Sequence, residues 1–195
     1  MSSEVYTSRF NRRTAVALWV VEALLALDLA RTGDLLPALP GFVLAAYLLW
    51  LVLWRPHVVV DAEGTQLHNV LRTVVVPWEA LIHVETKYAL TLRTARAAHS
   101  AWAAPAPARP SSVRRQREVR KPRPGEAGVR PGDLRGTSSG DAAHLVRERW
   151  EHLLATGGIE AGRAEEVHEQ VRWHVPELAV AGVLLAATVV LPGLL

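Results

Sequence analysis

Residues 72–85 read RTVVVPWEALIHVE, and this stretch predicts β structure. Three consecutive valines are typical of a strand, because β-branched side chains pack well on a pleated surface. Pro77 cannot donate a hydrogen bond to a neighbouring strand, so we expect the strand to end there, just before Trp78. Apolar and polar residues then alternate from Ile82 to Glu85, which is the period of a strand with one buried face.

Similar short segments lie on both sides of this stretch. Asp61 and Gly64 supply a turn between the first two, because aspartate favours the first turn position and glycine adopts positive φ without steric cost. Short strands separated by turn signals predict an antiparallel sheet or a partly closed barrel over residues 55–104. The predicted strands are HVVVD (57–61), TQLHN (65–69), RTVVVPW (72–78), ALIHVET (80–86), YALTLRT (88–94) and HSAWAAP (99–105).

The segments that precede the sheet predict a transmembrane helical hairpin over residues 14–54. Residues 35–54 form a run of 20 residues without a charged side chain. A helix of that length spans the roughly 30 Å hydrocarbon core of a bilayer. Residues 14–30 form a second apolar run, which contains Glu22 and Asp28. The RTGD connection between the two runs is too short to do more than reverse the chain.

A secretory signal peptide is the competing interpretation of the N-terminus, because arginines precede an apolar run. Glu22 lies inside that run, and cleavage after Ala30 would place Asp28 where a small residue is required. These features favour the hairpin. Within it, we expect Glu22 to be a buried membrane acid that is protonated or hydrogen-bonded, with Tyr47 of the adjacent helix as its candidate partner.

The last part of the chain carries a third apolar segment. Residues 178–195 have no charged side chain, and residues 175–195 are long enough to span a bilayer. The alternative is a helix that lies in the membrane interface or docks on the hairpin. Arginines in the tail of residues 1–13 favour a cytoplasmic N-terminus and sheet, with the C-terminus outside, because basic residues are enriched on the cytoplasmic side.

Residues 105–140 differ in composition from the rest of the chain. They hold six prolines, nine basic residues and three acidic residues, a net charge of +6 in a chain whose total is +3. Such a segment has too little apolar surface to order itself, so we expect a disordered linker. We also expect part of it to contact anionic lipid, through Arg114, Arg115, Arg117, Arg120, Lys121 and Arg123. The alternative is a solvated spacer, and nucleic acid is disfavoured because no aromatic residues interleave with the arginines.

Residues 141–156 predict an amphipathic helix. Ala142, Val146 and Trp150 fall on one helical face together with Leu153, and Asp141 is a fair N-cap. We expect the apolar face to cover the β module. Gly157 and Gly158 would end the helix, and a polar connector over residues 157–174 would lead to the third apolar segment.

Five short patterns follow one another around the opening stretch. They are an Arg-Pro pair (55–56), a Val-Asp-x-x-Gly turn (60–64), an asparagine (69), an Arg-Thr pair (72–73) and a Pro-Trp pair (77–78). In this order they resemble the bacterial pleckstrin-homology-like (PH-like) family named after low-molecular-weight protein antigen six of mycobacteria. The resemblance implies an actinobacterial membrane protein with a cytoplasmic PH-like barrel capped by a C-terminal helix. The basic insertion and the third apolar segment depart from that pattern.

Patterns for catalysis are missing from the sequence. There is no cysteine, which excludes disulfides, zinc–thiolate sites and a cysteine nucleophile. There is no glycine-rich phosphate loop and no Gly-x-Ser-x-Gly elbow. His168 and His174 are six residues apart, which is not the spacing of a zinc protease. We therefore expect no enzyme, no metal site and no cofactor.

The sequence thus predicts a multi-pass plasma-membrane protein of the α+β class. Its PH-like module would act at the cytoplasmic face as a non-catalytic interaction or scaffolding domain. The expected partners are membrane lipids and an unidentified membrane or cytoplasmic protein. The alternative is a component of a transport or proton-linked membrane complex, motivated by Glu22 and Asp28.

Overall fold

A computed structural model describes residues 3–107, 131–160 and 162–193. These residues form two compact units. A helical unit comprises residues 8–56, 69–73 and 172–193, and a β unit comprises residues 3–7, 57–68 and the described residues between 74 and 171.

The helical unit contains three α-helices: α1 (Arg9–Thr32), α2 (Leu35–Leu49) and α4 (Val175–Val190). The Ser8 side chain caps α1 by accepting a hydrogen bond from the Asn11 N–H at 3.2 Å. Gly33 ends α1 with φ 89°, a left-handed conformation that glycine adopts without steric cost. α2 continues into a π-helical turn at Trp50–Trp54, and α4 continues into a 3₁₀ turn at Leu191–Gly193.

α2 packs against both α1 and α4. The Trp19 indole N–H donates to the Ala46 carbonyl at 3.2 Å, which joins α1 to α2. The Tyr47 hydroxyl donates to the Glu177 carbonyl at 3.0 Å, which joins α2 to α4. Neither α2 nor α4 has a fully buried residue, and many of their apolar side chains are exposed, including Leu36, Val43 and Val183. Residues 35–54 and 175–193 are each long and apolar enough to cross a membrane.

The strands form two antiparallel sheets, and most of their residues belong to the β unit. A five-stranded sheet has the order β1-β2-β3-β4-β8 and a three-stranded sheet has the order β5-β6-β7. The strands of the first sheet are β1 (Glu4–Tyr6), β2 (His57–Val60), β3 (Gly64–His68), β4 (Arg72–Pro77) and β8 (Gln170–Trp173). Those of the second are β5 (His83–Glu85), β6 (Ala89–Arg93) and β7 (Ala98–Pro105).

Helix α3 (Ser138–Ala155) packs against β2, β5, β6 and β7. It contributes Ala142, Ala143 and Val146 to the core, and Trp150 packs partly buried at the edge. The sheets contribute valines and leucines from alternating strand positions, together with Trp78 from a 3₁₀ turn after β4. The core therefore arises from segments far apart in sequence.

The structure corrects several boundaries expected from the sequence. The tail of residues 1–13 contains β1 and the start of α1, and the connector of residues 157–174 contains β8. Both strands are short. Such segments are stabilised mainly by pairing with strands that are distant in sequence, and less by local propensity. Residues 80–86 are also not one strand, because a 3₁₀ turn at Trp78–Ala80 precedes the short β5.

The start of the covering helix also differs. Thr137, and not Asp141, caps α3 by accepting from the Gly140 N–H at 3.0 Å. Asp141 instead accepts from the Gly136 N–H at 2.7 Å. The composition of residues 131–140 predicts part of the disordered linker, but they form a 3₁₀ turn at Pro131–Asp133 and the first residues of α3. These side-chain hydrogen bonds and the contacts of α3 with the sheets order them.

Candidate interaction site

Asp61 and Gly64 in the turn between β2 and β3, and Trp78 after β4, have structural roles. Asp61 Oδ1 accepts hydrogen bonds from the N–H groups of Glu63 and Gly64, both at 2.9 Å. The Trp78 indole N–H donates to the Asp61 carbonyl at 3.2 Å, and the ring is buried. A Cβ on Gly64 would lie 2.9 Å from Pro77 Cα and closer still to the Val76 carbonyl oxygen. The turn and the buried indole therefore stabilise the fold.

The Arg-Pro and Arg-Thr motif residues contribute to a polar cluster in the helical unit. Arg55 donates to His174 Nδ1 at 2.7 Å and to Glu177 Oε1 at 2.5 Å. His174 Nε2 lies 2.9 Å from Thr73 Oγ1, and the His174 backbone N–H donates to the Leu71 carbonyl at 2.9 Å. His174 Nδ1 also lies 3.3 Å from the Val70 carbonyl, so both ring nitrogens have polar neighbours. The cluster joins the end of α2 to the start of α4.

A second polar cluster holds α3 on the β unit. Arg147 donates to Asp133 Oδ1 and to the Val84 carbonyl, both at 2.8 Å. Thr86 Oγ1 donates to the same Asp133 oxygen at 2.8 Å. Charge-assisted hydrogen bonds of this kind fix orientation as well as adding stability. The cluster anchors the 3₁₀ turn and α3 to β5.

His99 and Glu169 form a largely buried pair in the β unit. His99 Nε2 lies 3.3 Å from Glu169 Oε1, and their side chains are 6% and 11% exposed. Burial acts to raise the pKa of Glu169, but hydrogen bonds from its own backbone N–H, from His99 and from Thr94, with the charge of His99, lower the pKa overall. His99 Nδ1 and Glu169 Oε2 are buried, and neither atom has a hydrogen-bond partner among the described residues. The pair joins β7 to the residues just before β8.

A half-open groove of about 560 Å³ lies on the β unit beside the C-terminal half of α3. Its apolar lining includes Trp78, Leu81, Ile82, Trp150, Leu154 and Ile159. Ile82 is 49% exposed, so its side chain is accessible at the edge of this apolar lining. Three carboxylates line the same groove: Glu79, Glu160 and Glu165. No short sequence motif marks this site, because its residues come from three separate parts of the chain.

The predicted membrane acid Glu22 lies on α1, about 20 Å along the helix from Arg9 at 1.5 Å per residue. It lines a shallow, open cleft of about 570 Å³ with Leu18, Phe42 and other apolar residues of α1 and α2. Glu22 Oε1 is buried and has no hydrogen-bond partner in the described chain. The expected pairing with Tyr47 is wrong, because the Tyr47 hydroxyl donates to the Glu177 carbonyl.

The predicted lipid contacts Arg114, Arg115, Arg117, Arg120, Lys121 and Arg123 lie outside the described residues. Within the described ranges, no three His, Asp or Glu side chains are grouped so that they could hold a metal ion. Polar clusters that join packed elements and an acid-lined apolar groove are present in the same described ranges.

Comparison with known proteins assigns the family. Neither the curated proteins nor the solved structures contain a match to this chain. A family model described as a bacterial PH domain matches residues 55–174, which begin at the end of α2 and end just before α4. The match includes both sheets' strands from β2 onward and the covering helix α3. The chain therefore belongs to the bacterial PH domain family.

Proposed function

We propose that this protein is a multi-pass plasma-membrane protein whose PH domain is a non-catalytic interaction module at the cytoplasmic face. The observation that carries the proposal is the exposure of the helical unit. Residues 35–54, which are α2 with its π-helical turn, and residues 175–193, which are α4 with its 3₁₀ turn, are long enough to cross a membrane. Within them only Leu51 is buried, so a lipid environment would cover their exposed apolar side chains. The same chain carries a bacterial PH domain, and PH domains are typically interaction modules.

Arginine–tryptophan pairs in the helical unit support a membrane boundary there. The Arg12 guanidinium lies 5.0 Å from the Trp54 ring centre, and the Arg72 guanidinium lies 5.5 Å from that of Trp173. Tryptophan favours the membrane–water interface, and arginine can extend its charged end toward water. With the arginines of the N-terminal tail, these pairs favour a cytoplasmic N-terminus and PH domain, and a C-terminus outside.

The charge of the PH domain favours a protein partner over anionic headgroups. The described residues of the β unit include thirteen acidic and seven basic residues, a net charge of −6. A surface of that sign repels an anionic leaflet and attracts basic segments. Contact with anionic lipid is instead proposed for the basic stretch of residues 114–123, whose charge is opposite.

The narrower affiliation with the antigen-six group of actinobacterial membrane proteins forms part of the same proposal. The Arg55-Pro56, Val-Asp-x-x-Gly, Arg72-Thr73 and Pro77-Trp78 patterns support it. They also have structural roles here: Asp61 and Gly64 close a turn and Arg55 joins α2 to α4.

Accessibility of single cysteines tests the orientation, since the native chain has no cysteine to interfere. Exposed positions Ser3, Thr32, Tyr88 and Gly193 are each replaced by cysteine and treated in intact cells with a membrane-impermeant thiol reagent. We expect labelling at 32 and 193, and labelling at 3 and 88 only after the cells are opened. Labelling of position 88 in intact cells would contradict a cytoplasmic PH domain, and labelling at 32 without 193 would contradict a spanning α4.

A further inference from the structure

The groove beside α3 is lined by large apolar side chains together with three carboxylates. The buried side chains of Trp78 and Leu81 form its floor, and the half-exposed side chain of Ile82 forms part of its wall. A volume of about 560 Å³ admits two or three large side chains. Exposed apolar grooves of this kind are typical of sites that receive apolar anchors from a partner.

The carboxylates of the groove are not neutralised by the chain around it. Glu79 and Glu165 form no ion pair with another residue of the described chain. Glu160 pairs with Arg163 at 3.2 Å, but Arg163 also pairs with Glu166 at 3.0 Å, so one cation is shared by two carboxylates. The hydrogen bond and charge of Glu166, with those of Glu160, raise the pKa of Arg163. The groove therefore presents net negative charge around an apolar floor.

We propose that this groove binds a partner protein through a segment in which large apolar residues are flanked by lysine or arginine. This inference rests on the proposed function and names the chemistry of its protein partner. An apolar anchor would fill the floor between Ile82 and Trp150, while flanking cations would pair with Glu79 and Glu165. Pairing of opposite charges would select basic segments and repel acidic ones.

The location of the module narrows the class of partner. At the cytoplasmic face, the segments that leave the membrane next to a transmembrane helix are rich in lysine and arginine and carry aromatic anchors. Such juxtamembrane segments of other membrane proteins have the chemistry that the groove requires. The chain's own basic residues 108–130 fit less well, because valine is their largest apolar side chain.

Peptide display on the purified full-length protein in detergent tests the proposal. A random library of 12-residue peptides is selected on the wild-type protein, and binding of the enriched peptides is measured by fluorescence anisotropy. We expect enrichment of peptides that combine Lys or Arg with Leu, Ile, Phe or Trp. Enrichment of nothing, or of peptides without basic residues, overturns the proposal.

Matched variants locate the binding. The pair Glu79→Gln with Glu165→Gln, and separately Ile82→Ser, should each weaken the enriched peptides at least tenfold. The control pair Glu63→Gln with Glu151→Gln removes the same charge from exposed positions outside the groove and should change affinity less than twofold. Equal losses in both pairs would show non-specific charge attraction and overturn the proposal. Unchanged melting temperatures establish that each variant is folded.

Two further arms identify the occupant. Peptide affinity that rises tenfold when residues 109–129 are deleted would assign the groove to the chain's own segment and overturn the choice of a partner. Displacement of bound peptide by detergent-dispersed phosphatidylcholine, whose headgroup has no net charge and does not sequester basic peptides, would assign the groove to lipid and would also overturn that choice. Because none of these measurements depends on orientation in the membrane, failure here leaves the cysteine-labelling result unaffected.

Discussion

Arg55 Nη1 lies 2.7 Å from His174 Nδ1, which joins the first and the last residue matched by the bacterial PH domain family. The two residues are 119 positions apart in sequence. The same guanidinium reaches Glu177 in the first turn of α4, where a carboxylate also interacts favourably with the helix dipole. The first and last residues of the family match therefore lie in one polar cluster of the helical unit.

Replacing Arg55 with leucine should lower the melting temperature of the protein in detergent. The change leaves Glu177 and His174 without their donor, and a partly buried hydrogen bond to a charged group is worth about 1.5–3 kcal/mol. Arg55→Lys should recover part of the loss, because an ammonium group cannot reach both acceptors with fork geometry. The control is Arg163→Leu at a fully exposed ion pair, which should have no measurable effect. Equal melting temperatures for Arg55→Leu and wild type would contradict this role.

Gly64→Ala should destabilise the PH domain. The added Cβ would overlap the backbone around Val76 and Pro77, and backbone cannot move aside as a flexible side chain can. Overpacking of this kind costs about 1–3 kcal/mol. Gly182→Ala is the matched control, since nothing lies within 4 Å of a Cβ there and alanine favours a helix. Chemical denaturation followed by tryptophan fluorescence compares the two, and a Gly64 variant as stable as the Gly182 variant would refute the close approach.

The stability of the PH domain should decline at acid pH partly through Glu169. A carboxyl whose pKa is lowered in the folded state stabilises the fold above its unfolded value of about 4.3. That stabilisation is lost as pH falls through the lower folded value, so the melting temperature of the wild type should drop below about pH 4. Glu169→Gln should show a shallower drop over the same range, and Glu151→Gln should follow the wild type. If the melting temperatures of Glu169→Gln and the wild type fall equally steeply below pH 4, Glu169 does not contribute to the acid dependence.

Glu22→Leu should raise the melting temperature of the protein in detergent, and Glu22→Gln should lie between leucine and wild type. The Glu22 Oε1 atom is buried without a partner in the described chain, and an unpaired buried polar group costs about 1–3 kcal/mol. Asp28→Leu, at an exposed position of the same helix, serves as control. A lower melting temperature for Glu22→Leu would mean that the carboxylate has a partner outside this chain, as a subunit of a larger membrane complex would provide.

A synthetic peptide of residues 108–130 should bind vesicles that contain anionic lipid. Each basic residue near such a surface contributes about 1 kcal/mol, and the attraction decays within a Debye length of about 8–10 Å. Binding should rise with the fraction of phosphatidylglycerol and weaken with added salt. The matched peptide has glutamine at Arg114, Arg115, Arg117, Arg120, Lys121 and Arg123. Salt-insensitive binding, or equal binding of the two peptides, would rule out an electrostatic contact through these six residues.

Local sequence was sufficient for the features that depend on local physics. Val74 to Pro77 lie in strand β4 because β-branched residues favour a pleated conformation and proline ends the pairing. Residues 35–54 are recognisable as an apolar helix because length and hydropathy are read along one segment. Ala142 and Val146 lie in the core as the helical period requires.

Tertiary structure alone decided the features that depend on partners distant in sequence. β1 and β8 are strands because other strands pair with them, and segments of three and four residues are too short for an alternating pattern to mark them in the sequence. Tyr47 donates to the Glu177 carbonyl and not to Glu22, because the third helix packs against α2 and supplies a closer acceptor. The groove brings Glu79, Ile82, Trp150 and Glu165 to one surface from segments that share no pattern. Packing between distant segments determines such contacts, and no spacing along a single segment contains that information.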